Sequence, residues 1–393
     1  MNSFGRIFKV SIFGESHGEC VGITIDGCPA GLSLSPEDLA PDLERRKGGK
    51  HKGTTPRKEE DFPIFKSGVF NGKTTGFPIT ILFENKNIRS EEYTKQRSIP
   101  RPGHADWVAH QKFGGFEDYR GGGHFSARLT AGIVAAGAIA KKLMNYVTSP
   151  QTPLQRRGAY DHSNTAGNEE VLNKAEWVLE EIKKNLFVES DSPSPLEREP
   201  EGEVLKPALT IQAKVIEIGG DKDLEKGLQK AIDAKDSVGG IIECRVNGLP
   251  AGLGEPWFDS VESVLAHLVF AIPAVRGVEF GTGFAAAKMF GSEHNDSIME
   301  MSGQTKTNHA GGIVGGITNG NELVFRLAIK PTSSTPKEQE SLNWDTEQVE
   351  KFSIKGRHDL CVALRAPVIV EAVTALVLCD FMMLEQKIPR IIL

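Results

Sequence analysis

Alternating apolar and polar positions near the amino terminus predict two strands joined by a short loop. The strands are expected at residues 7–13 and 21–25, and the loop at residues 14–18. Successive side chains of a strand point to opposite faces, so this alternation is typical of a sheet with one buried face. We therefore expect the loop to lie at the end of a sheet.

Helix signals recur along the chain. Ser35 before Pro36 and two acids is typical of a helix start, and Pro41 is expected to kink or restart that helix. The Ala- and Gly-rich residues 127–144 predict a helix with small side chains that packs closely inside a layered fold. Further helices are predicted at residues 171–186, 259–270 and 367–387.

Strand signals are spread through both halves of the chain. Asn71-Gly72 predicts a hairpin turn between residues 69–70 and a strand at 79–83, because both turn residues tolerate positive φ. The remaining predicted strands are 209–218, 239–246, 278–280 and 323–329. This order lacks the regular alternation of a doubly wound sheet and indicates a mixed fold of helices and strands.

Composition and charge exclude several classes of protein. The 393 residues are 39% hydrophobic and 25% charged, as in a soluble globular protein. The net charge of −6 argues against a general binder of nucleic acid or membrane surfaces. Glycine is abundant, with 42 residues in short clusters, which suggests loops whose backbone approaches a ligand closely.

No secretory signal or membrane span is expected. Residues 1–14 lack a long apolar core, residues 131–140 are too short to cross a bilayer, and residues 366–384 include a proline and two acids. The five cysteines are scattered without a Cys-x-x-Cys spacing, so neither a disulfide framework nor a zinc site is implied. We expect buried reduced thiols, no bound metal and a cytoplasmic protein.

The loop at residues 14–18 places Ser16 and His17 between two glycines at a strand end. A histidine there can serve as an acid or base, although a solvated turn explains the same residues. A second such turn holds Arg101, His104 and Asp106, where Asp106 would also start the next helix.

Two further patterns suit an anionic ligand. Residues 45–58 form a basic run broken by glycines, which is either a solvated face or a flexible loop that closes over a polyanion. Residues 119–128 form a glycine run between two arginines that is expected to open a helix and present its N–H groups to an anion. Three further stretches are candidates for contacts with such a ligand. They are the glycine-rich loop at 308–316, Lys330 with the three hydroxyl residues at 332–334, and Arg357-His358-Asp359.

In this order the stretches resemble the signature set of the chorismate synthases: G-E-S-H-G, the basic loop, R-P-G-H-A-D, G-G-G-x-x-S-A-R, G-G-I-x-G-G-I, K-P-T-S-S and R-H-D. The resemblance covers residues 4–144 and about 209–384. His124-Phe125 stands where many members have Arg-Ser, and Leu360 replaces the usual proline. Residues 148–206 resemble an insertion in a single catalytic domain that spans residues 1–393.

The resemblance implies an α+β fold, a layered β-α-β sandwich with helices between antiparallel or mixed sheets, assembled as a homotetramer. It implies a 1,4-elimination of phosphate from 5-enolpyruvylshikimate-3-phosphate (EPSP) to give chorismate, a lyase reaction of aromatic amino-acid biosynthesis. Reduced FMN is required without net redox change. NADPH could reduce the flavin, but no dinucleotide fingerprint is present, so a separate flavin reductase is favoured.

The resemblance also assigns residues. His17 would protonate the departing phosphate and His104 the reduced flavin, while Ser16, Ser126 and Asp359 would relay protons. EPSP would be held by Arg45, Arg46, Arg101, Arg128 and Arg357. FMN would contact His124, Phe125, Ser126, Pro273, Ala274, Gly315, Lys330, Pro331, Thr332, Ser333, Ser334 and Arg357. Where a member binds NADPH, the matching positions are Arg46 and Lys52.

Two alternatives stay open at this point. Residues 45–58 could bind RNA or polyphosphate, although the acidic net charge and the lack of interleaved aromatics count against this. The chain could also be an ordinary FMN oxidoreductase, which a net change in the oxidation state of its substrate would reveal.

Overall fold

The computed structural model describes residues 2–49, 52–55, 59–88, 90–95, 97–148, 209–354 and 358–392. Its α-helices are α1 (Pro36–Arg46), α2 (Glu91–Lys95), α3 (Asp106–Phe113), α4 (Thr130–Thr148), α5 (Leu224–Asp233), α6 (Val261–Val269), α7 (Gly291–His294) and α8 (Pro367–Leu384). Its first strands are β1 (Ser3–Phe4), β2 (Lys9–Gly14), β3 (Cys20–Asp26), β4 (Ile64–Ser67), β5 (Val69–Phe70), β6 (Lys73–Thr74) and β7 (Ile79–Glu84). The later strands are β8 (Thr210–Ile218), β9 (Gly240–Asn247), β10 (Val275–Phe280), β11 (Ile313–Val314), β12 (Ile317–Thr318), β13 (Leu323–Ile329), β14 (Gln339–Asn343) and β15 (Gln348–Phe352).

The amino-terminal half builds a five-stranded antiparallel sheet in the order β1-β2-β3-β7-β4. In its centre Ile23 pairs with Ile81, and both side chains are fully buried. Alternate residues of β3 and β7 face α4, as the predicted alternation requires. The loop with Ser16 and His17 connects β2 to β3 and therefore lies at the end of this sheet, as predicted.

The carboxy-terminal half builds a second antiparallel sheet in the order β10-β13-β9-β8. Phe325 pairs with Cys244 near its centre, and neither side chain is accessible to solvent. Residues 330–334 follow β13 directly, so this sheet delivers the predicted phosphate-binding hydroxyls at the end of a strand.

Helices α4 and α8 lie between the two sheets. Helix α4 packs on β3 and β7, α8 packs on β8 and β9, and the helices contact each other. Gly137 makes this contact close, since a Cβ there would come within 2.4 Å of Ala372. Helix α8 is apolar enough to cross a membrane, but 89% of it is buried in the protein, as expected of a core helix. The predicted β-α-β sandwich is confirmed, with both sheets antiparallel.

Three predictions about local structure are wrong. Helix α1 does not restart at Pro41 but continues through it, because the buried Leu39 and Leu43 anchor it on either side of the missing hydrogen bond. The alternative of a kink at Pro41 stays a prediction. The Asn71-Gly72 turn does form, but its return strand is β6, while β7 pairs with β3 and β4. Cys20 is only partly buried, although the other four cysteines are buried and all five are free.

The predicted insertion lies almost entirely outside the described residues, together with the helix expected at residues 171–186. Met1–Ser149 and Pro207–Leu393 group into one compact unit, to which both sheets and the helices between them belong. The insertion itself stays a prediction.

Candidate active site

His17 is buried at the end of the first sheet and is oriented by side chains that follow β7. Its Nδ1 lies 3.0 Å from the hydroxyl oxygen of Ser90. Its ring stands edge-on to Tyr93, with ring centroids 5.2 Å apart. Neither Ser90 nor Tyr93 was predicted, because a serine and a tyrosine in a polar stretch carry no signal of their own.

A turn of three glycines, Gly121–Gly123, packs against this ring. All three have positive φ, at 60°, 81° and 51°. A Cβ at Gly121 would approach Cδ2 of His17 to 2.4 Å and Nε2 to 2.5 Å. The glycines thus serve as bare backbone, but not as the first turn of a helix. The helix predicted at residues 127–144 begins as a 3₁₀ turn at Ala127–Leu129 and continues as α4 from Thr130, so the glycines precede it.

His104 contacts the next glycine of the same turn. A Cβ at Gly122 would come within 3.3 Å of Cε1 and 3.5 Å of Nε2 of His104. The two imidazoles therefore contact adjacent glycines, His17 at Gly121 and His104 at Gly122. Histidines that are 87 positions apart in the chain are brought to one turn, which their separate motifs did not predict.

Asp106 holds His104 and Arg101 together. Its carboxylate accepts hydrogen bonds from Nε and Nη2 of Arg101, both at 2.7 Å, and lies 2.6 Å from Nδ1 of His104. Burial opposes ionisation of Asp106, but the hydrogen bonds from Arg101 and His104 outweigh it and hold the pKa of this carboxyl well below its usual range. Asp106 does begin α3, as predicted, but its carboxylate serves this cluster.

The loop at residues 330–334 contacts the turn that holds Arg101 and His104. Lys330 donates from Nζ to the carbonyl of Gly103 at 3.2 Å, and the Ser333 hydroxyl donates to that carbonyl at 2.7 Å. The Ser334 hydroxyl lies 3.4 Å from Nη1 of Arg101. Burial lowers the pKa of Lys330, and the charge of Arg276 adds to this effect. The two motifs, distant in sequence, thus form one wall.

A buried cluster of charges lies beside the His17 loop. Asp61 is paired with Arg46 at 2.5 Å and with Arg128, and all three side chains are at most 5% exposed. Burial opposes ionisation of Asp61, but the two guanidinium groups outweigh it and lower its pKa. Arg128 also donates to Asn85, whose amide donates to the carbonyls of Glu15 and Gly18. Two cations share one carboxylate, so the cluster favours an additional anion.

A cleft opens beside the glycine turn and holds about 760 Å³ of space that is continuous with solvent. Its lining includes His104 and Gly122, together with aromatic rings that sequence reasoning missed. Trp344 comes from the β14-β15 hairpin and stacks on His110 at a centroid distance of 4.7 Å. Arg97 lies over the ring of Tyr119 at 4.8 Å. The cleft therefore offers flat apolar surfaces beside cationic groups.

Three comparisons with known proteins bear on this site. A family model described as chorismate synthase matches residues 8–383. The chorismate synthase of Chitinophaga pinensis is 57% identical over 391 residues, which cover 100% of this chain and 99% of that protein. This chain belongs to the chorismate synthase family. The chorismate synthase of Dehalococcoides mccartyi is 43% identical over 395 residues, with 100% and 99% coverage.

A solved structure described as a crystal structure of chorismate synthase matches this fold. Its TM-score is 0.61 at 23% sequence identity, and the match covers 97% of this chain and 93% of that one. At this identity the match supports the β-α-β sandwich of the chorismate synthase fold and carries no further argument about function.

Several residues expected to act in the family have structural partners here. Arg45 donates from both terminal nitrogens to the buried Glu371 of α8, at 2.6 and 2.7 Å. Its geometry therefore does not support a substrate contact. Arg46 is the last residue of α1 and is buried, so the expectation that it lies in a flexible loop is wrong. Lys52 reaches Gln229 on α5 at 3.1 Å.

The structure places the predicted flavin contacts in different surroundings. Nδ1 of His124 donates to the carbonyl of Gly14 at 2.9 Å, whereas Phe125 lines the cleft. Ala274 accepts a hydrogen bond from the Lys330 amide at 2.9 Å, which joins residues 273–274 to the loop after β13. Gly315 lies in the turn between β11 and β12, where a Cβ would have open space around it. Arg357 lies outside the described residues.

Serine and aspartate positions have clear local roles. The Ser126 hydroxyl accepts from the Arg128 amide at 3.2 Å and caps the 3₁₀ turn before α4. The backbone N–H of Ser16 donates to the carbonyl of Gly123 at 3.1 Å, which ties the His17 loop to the glycine turn. Asp359 accepts from the Thr55 amide at 2.9 Å and from Arg365 at 2.7 Å. Arg365 was not predicted.

Leu360 stands where the resemblance leads us to expect a proline. The structure shows what the backbone N–H of a leucine adds at this position. Its N–H donates to the carbonyl of Gly53 at 2.9 Å, a hydrogen bond that proline cannot make. The leucine lacks the rigidity of a proline but adds a hydrogen bond to Gly53 in the basic loop.

Gly121→Ala tests the contact between the glycine turn and His17. Alanine at φ 60° costs about 1–2 kcal/mol of backbone strain, and its methyl group would also displace the imidazole. The matched control is Gly220→Ala, where φ is 79° but no atom lies within 4 Å. We expect both variants to lower the urea unfolding midpoint, and only Gly121→Ala to shift the His17 ring in a crystal structure. An unmoved ring would contradict the close packing.

His358 predicts a pH dependence of stability. Burial lowers its pKa to about 4, and the charge of Arg101 adds to this effect. The unfolded chain takes up this proton near pH 6.5, so the stabilisation is complete above that pH and is lost as the pH falls towards 4. The loss amounts to roughly 3 kcal/mol at the acid end. In urea unfolding between pH 7 and 5, His358→Asn should flatten this decline, and parallel curves would contradict it.

Proposed function

We propose that this chain catalyses the 1,4-elimination of phosphate from EPSP to give chorismate, with reduced FMN as cofactor and no net redox change. The observation that carries the proposal is the pair of imidazoles on adjacent glycines, beside two buried arginines that share one carboxylate. A phosphate ester that loses its phosphate needs a cationic site and a proton donor at the leaving group, and both are available in this arrangement.

The residues fit an anionic substrate and an anionic cofactor. Nε of Arg46 is buried and has no hydrogen-bond partner among the described atoms. Since such orphan donors are costly in a protein interior, a ligand oxygen is a natural partner. The loop with Lys330 and Ser333, together with Arg101, adds donors beside His104.

Reduced FMN would supply an electron to the substrate and receive one back, and the protein would supply binding, orientation and protons. Arg46 and Arg128 would neutralise the phosphate, and Arg101 a carboxylate of EPSP. His17 would deliver a proton from Nε2 to the departing phosphate. His104 would hold a proton at Nε2 on the flavin side. The relay roles of Ser16, Ser126 and Asp359 stay predictions.

The basic run at residues 45–58 does not favour the RNA-binding alternative. Arg45 is paired with Glu371, and Arg46 is buried against Asp61, so both guanidinium groups are already bound to carboxylates of this chain. These two arginines therefore make contacts within the protein.

We also propose that the chain is a homotetramer in the cytoplasm that receives its reduced flavin from a separate reductase. Apolar side chains that remain at least 77% exposed support an assembly of several copies. They are Phe116, Trp257, Phe258, Phe284, Phe290 and Met301. Sedimentation velocity at assay concentrations should give a tetramer, and a stable monomer would contradict this part.

An anaerobic assay with EPSP and chemically reduced FMN tests the proposal directly. We expect one chorismate and one phosphate per EPSP, and catalytic rather than stoichiometric use of the reduced flavin. A product whose oxidation state differs from that of EPSP would instead show an ordinary FMN oxidoreductase. No product at all would contradict the proposal.

In the same assay, His17→Ala and His104→Ala should each lower turnover by roughly 100- to 10,000-fold, because each removes a positioned proton donor. The double variant should lose less than the product of the two single losses if both imidazoles act in one proton network. His267→Ala is the matched control, since that ring packs against Phe4 at 5.8 Å, and it should retain turnover. Near-normal turnover in both single variants would contradict the assigned roles.

A further inference from the structure

Asp106 is the one carboxylate in direct contact with His104 among the described side chains. Its Oδ1 lies 2.6 Å from Nδ1 of His104 and also accepts from Nη2 of Arg101. Nη2 itself lies 3.0 Å from Nδ1. A guanidinium can only donate, so Nδ1 cannot accept from Arg101 and donate to Asp106 at once. The shorter contact decides the assignment: Nδ1 carries a hydrogen and donates it to Asp106.

This hydrogen bond determines which ring nitrogen is available for chemistry. With Nδ1 bound to Asp106, Nε2 is the remaining nitrogen, and it lies on the side of Gly122 and the cleft. A histidine whose Nδ1–H is held by a carboxylate keeps one tautomer and one ring orientation, as in the Asp-His pairs of hydrolases.

The position of Asp106 is itself fixed. It is the first residue of α3, its Oδ2 accepts from the backbone N–H of Arg101 at 3.0 Å, and the guanidinium binds both of its oxygens. The carboxylate therefore has little freedom to turn away from the imidazole. By contrast, the described partner of Nδ1 in His17 is the neutral hydroxyl of Ser90.

We propose that Asp106 is the positioning residue of His104, which fixes the Nδ1–H tautomer so that Nε2 faces the cleft as the proton-transferring nitrogen. This inference rests on the proposed function for its kinetic consequences, while the tautomer itself is a property of the protein alone. Asp106 acts through the imidazole and does not contact the reacting groups.

Nitrogen-15 NMR of the histidine-labelled full-length protein tests the tautomer without any substrate. The His104 signals are assigned by their loss in His104→Ala. At alkaline pH we expect the Nδ1–H form in the parent protein and a reduced share of it in Asp106→Ala. A parent protein whose His104 carries its hydrogen on Nε2 would overturn the proposal, and this result does not require that Asp106→Ala folds or that EPSP is turned over.

Kinetics with EPSP and reduced FMN distinguish whether Asp106 acts through His104 or through Arg101. Asp106→Asn should lower kcat by about 10- to 100-fold, part of the roughly 100- to 10,000-fold that a positioned acid supplies. In the His104→Ala background the same change should have no further effect on kcat. Asp259→Asn, which breaks an ion pair with Arg6 outside the cleft, is the matched control and should keep the parent kcat.

Two kinetic outcomes would overturn the proposal. An equal loss of kcat with and without His104 would show that Asp106 does not act through the imidazole. A raised KM with an unchanged kcat would show that it acts through Arg101. If the parent protein itself fails to convert EPSP, the proposed function is wrong, and the tautomer measurement still decides the role of Asp106.

Discussion

The left-handed turn at Gly121–Gly123 is the constraint on which the site depends. A Cβ at each of the first two positions would meet an imidazole, and one at Gly123 would come within 1.9 Å of the carbonyl of Asp118. Only glycine satisfies both the positive φ and the close contacts. The turn thereby lets His17 pack against Gly121 and His104 against the adjacent Gly122.

Two clusters of ion pairs differ in their balance of positive and negative charge. Arg45 and Lys141 are neutralised by two carboxylates, since both cations pair with Glu371 and with Asp42. Arg46 and Arg128, by contrast, share Asp61 and retain an excess positive charge next to the His17 loop. A buried excess cation is costly without a partner, which is why we propose that an anionic ligand completes the cluster.

Most core strands could be predicted because alternation and apolar runs are local signals, whereas the layered arrangement followed from the resemblance to the chorismate synthases. The two glycine-bounded histidines stood out as candidates. The partners of those histidines could not be predicted. Ser90, Tyr93, Asp61 and Trp344 reach the site only through long-range packing, and none has a local pattern that distinguishes it from an ordinary surface residue. Arg45 and Arg46 show the same limit, since adjacent arginines on one helix reach different acids.

A crystal structure with EPSP and oxidised FMN, a mixture that the proposal expects not to react, tests the central claim most directly. We predict that the EPSP phosphate lies within hydrogen-bond distance of Nε2 of His17 and of the buried arginine pair. We also predict that Nε2 of His104 faces the flavin across the glycine turn. Phosphate bound away from His17, or both imidazoles on the same ligand atom, would contradict the division of roles between the two histidines.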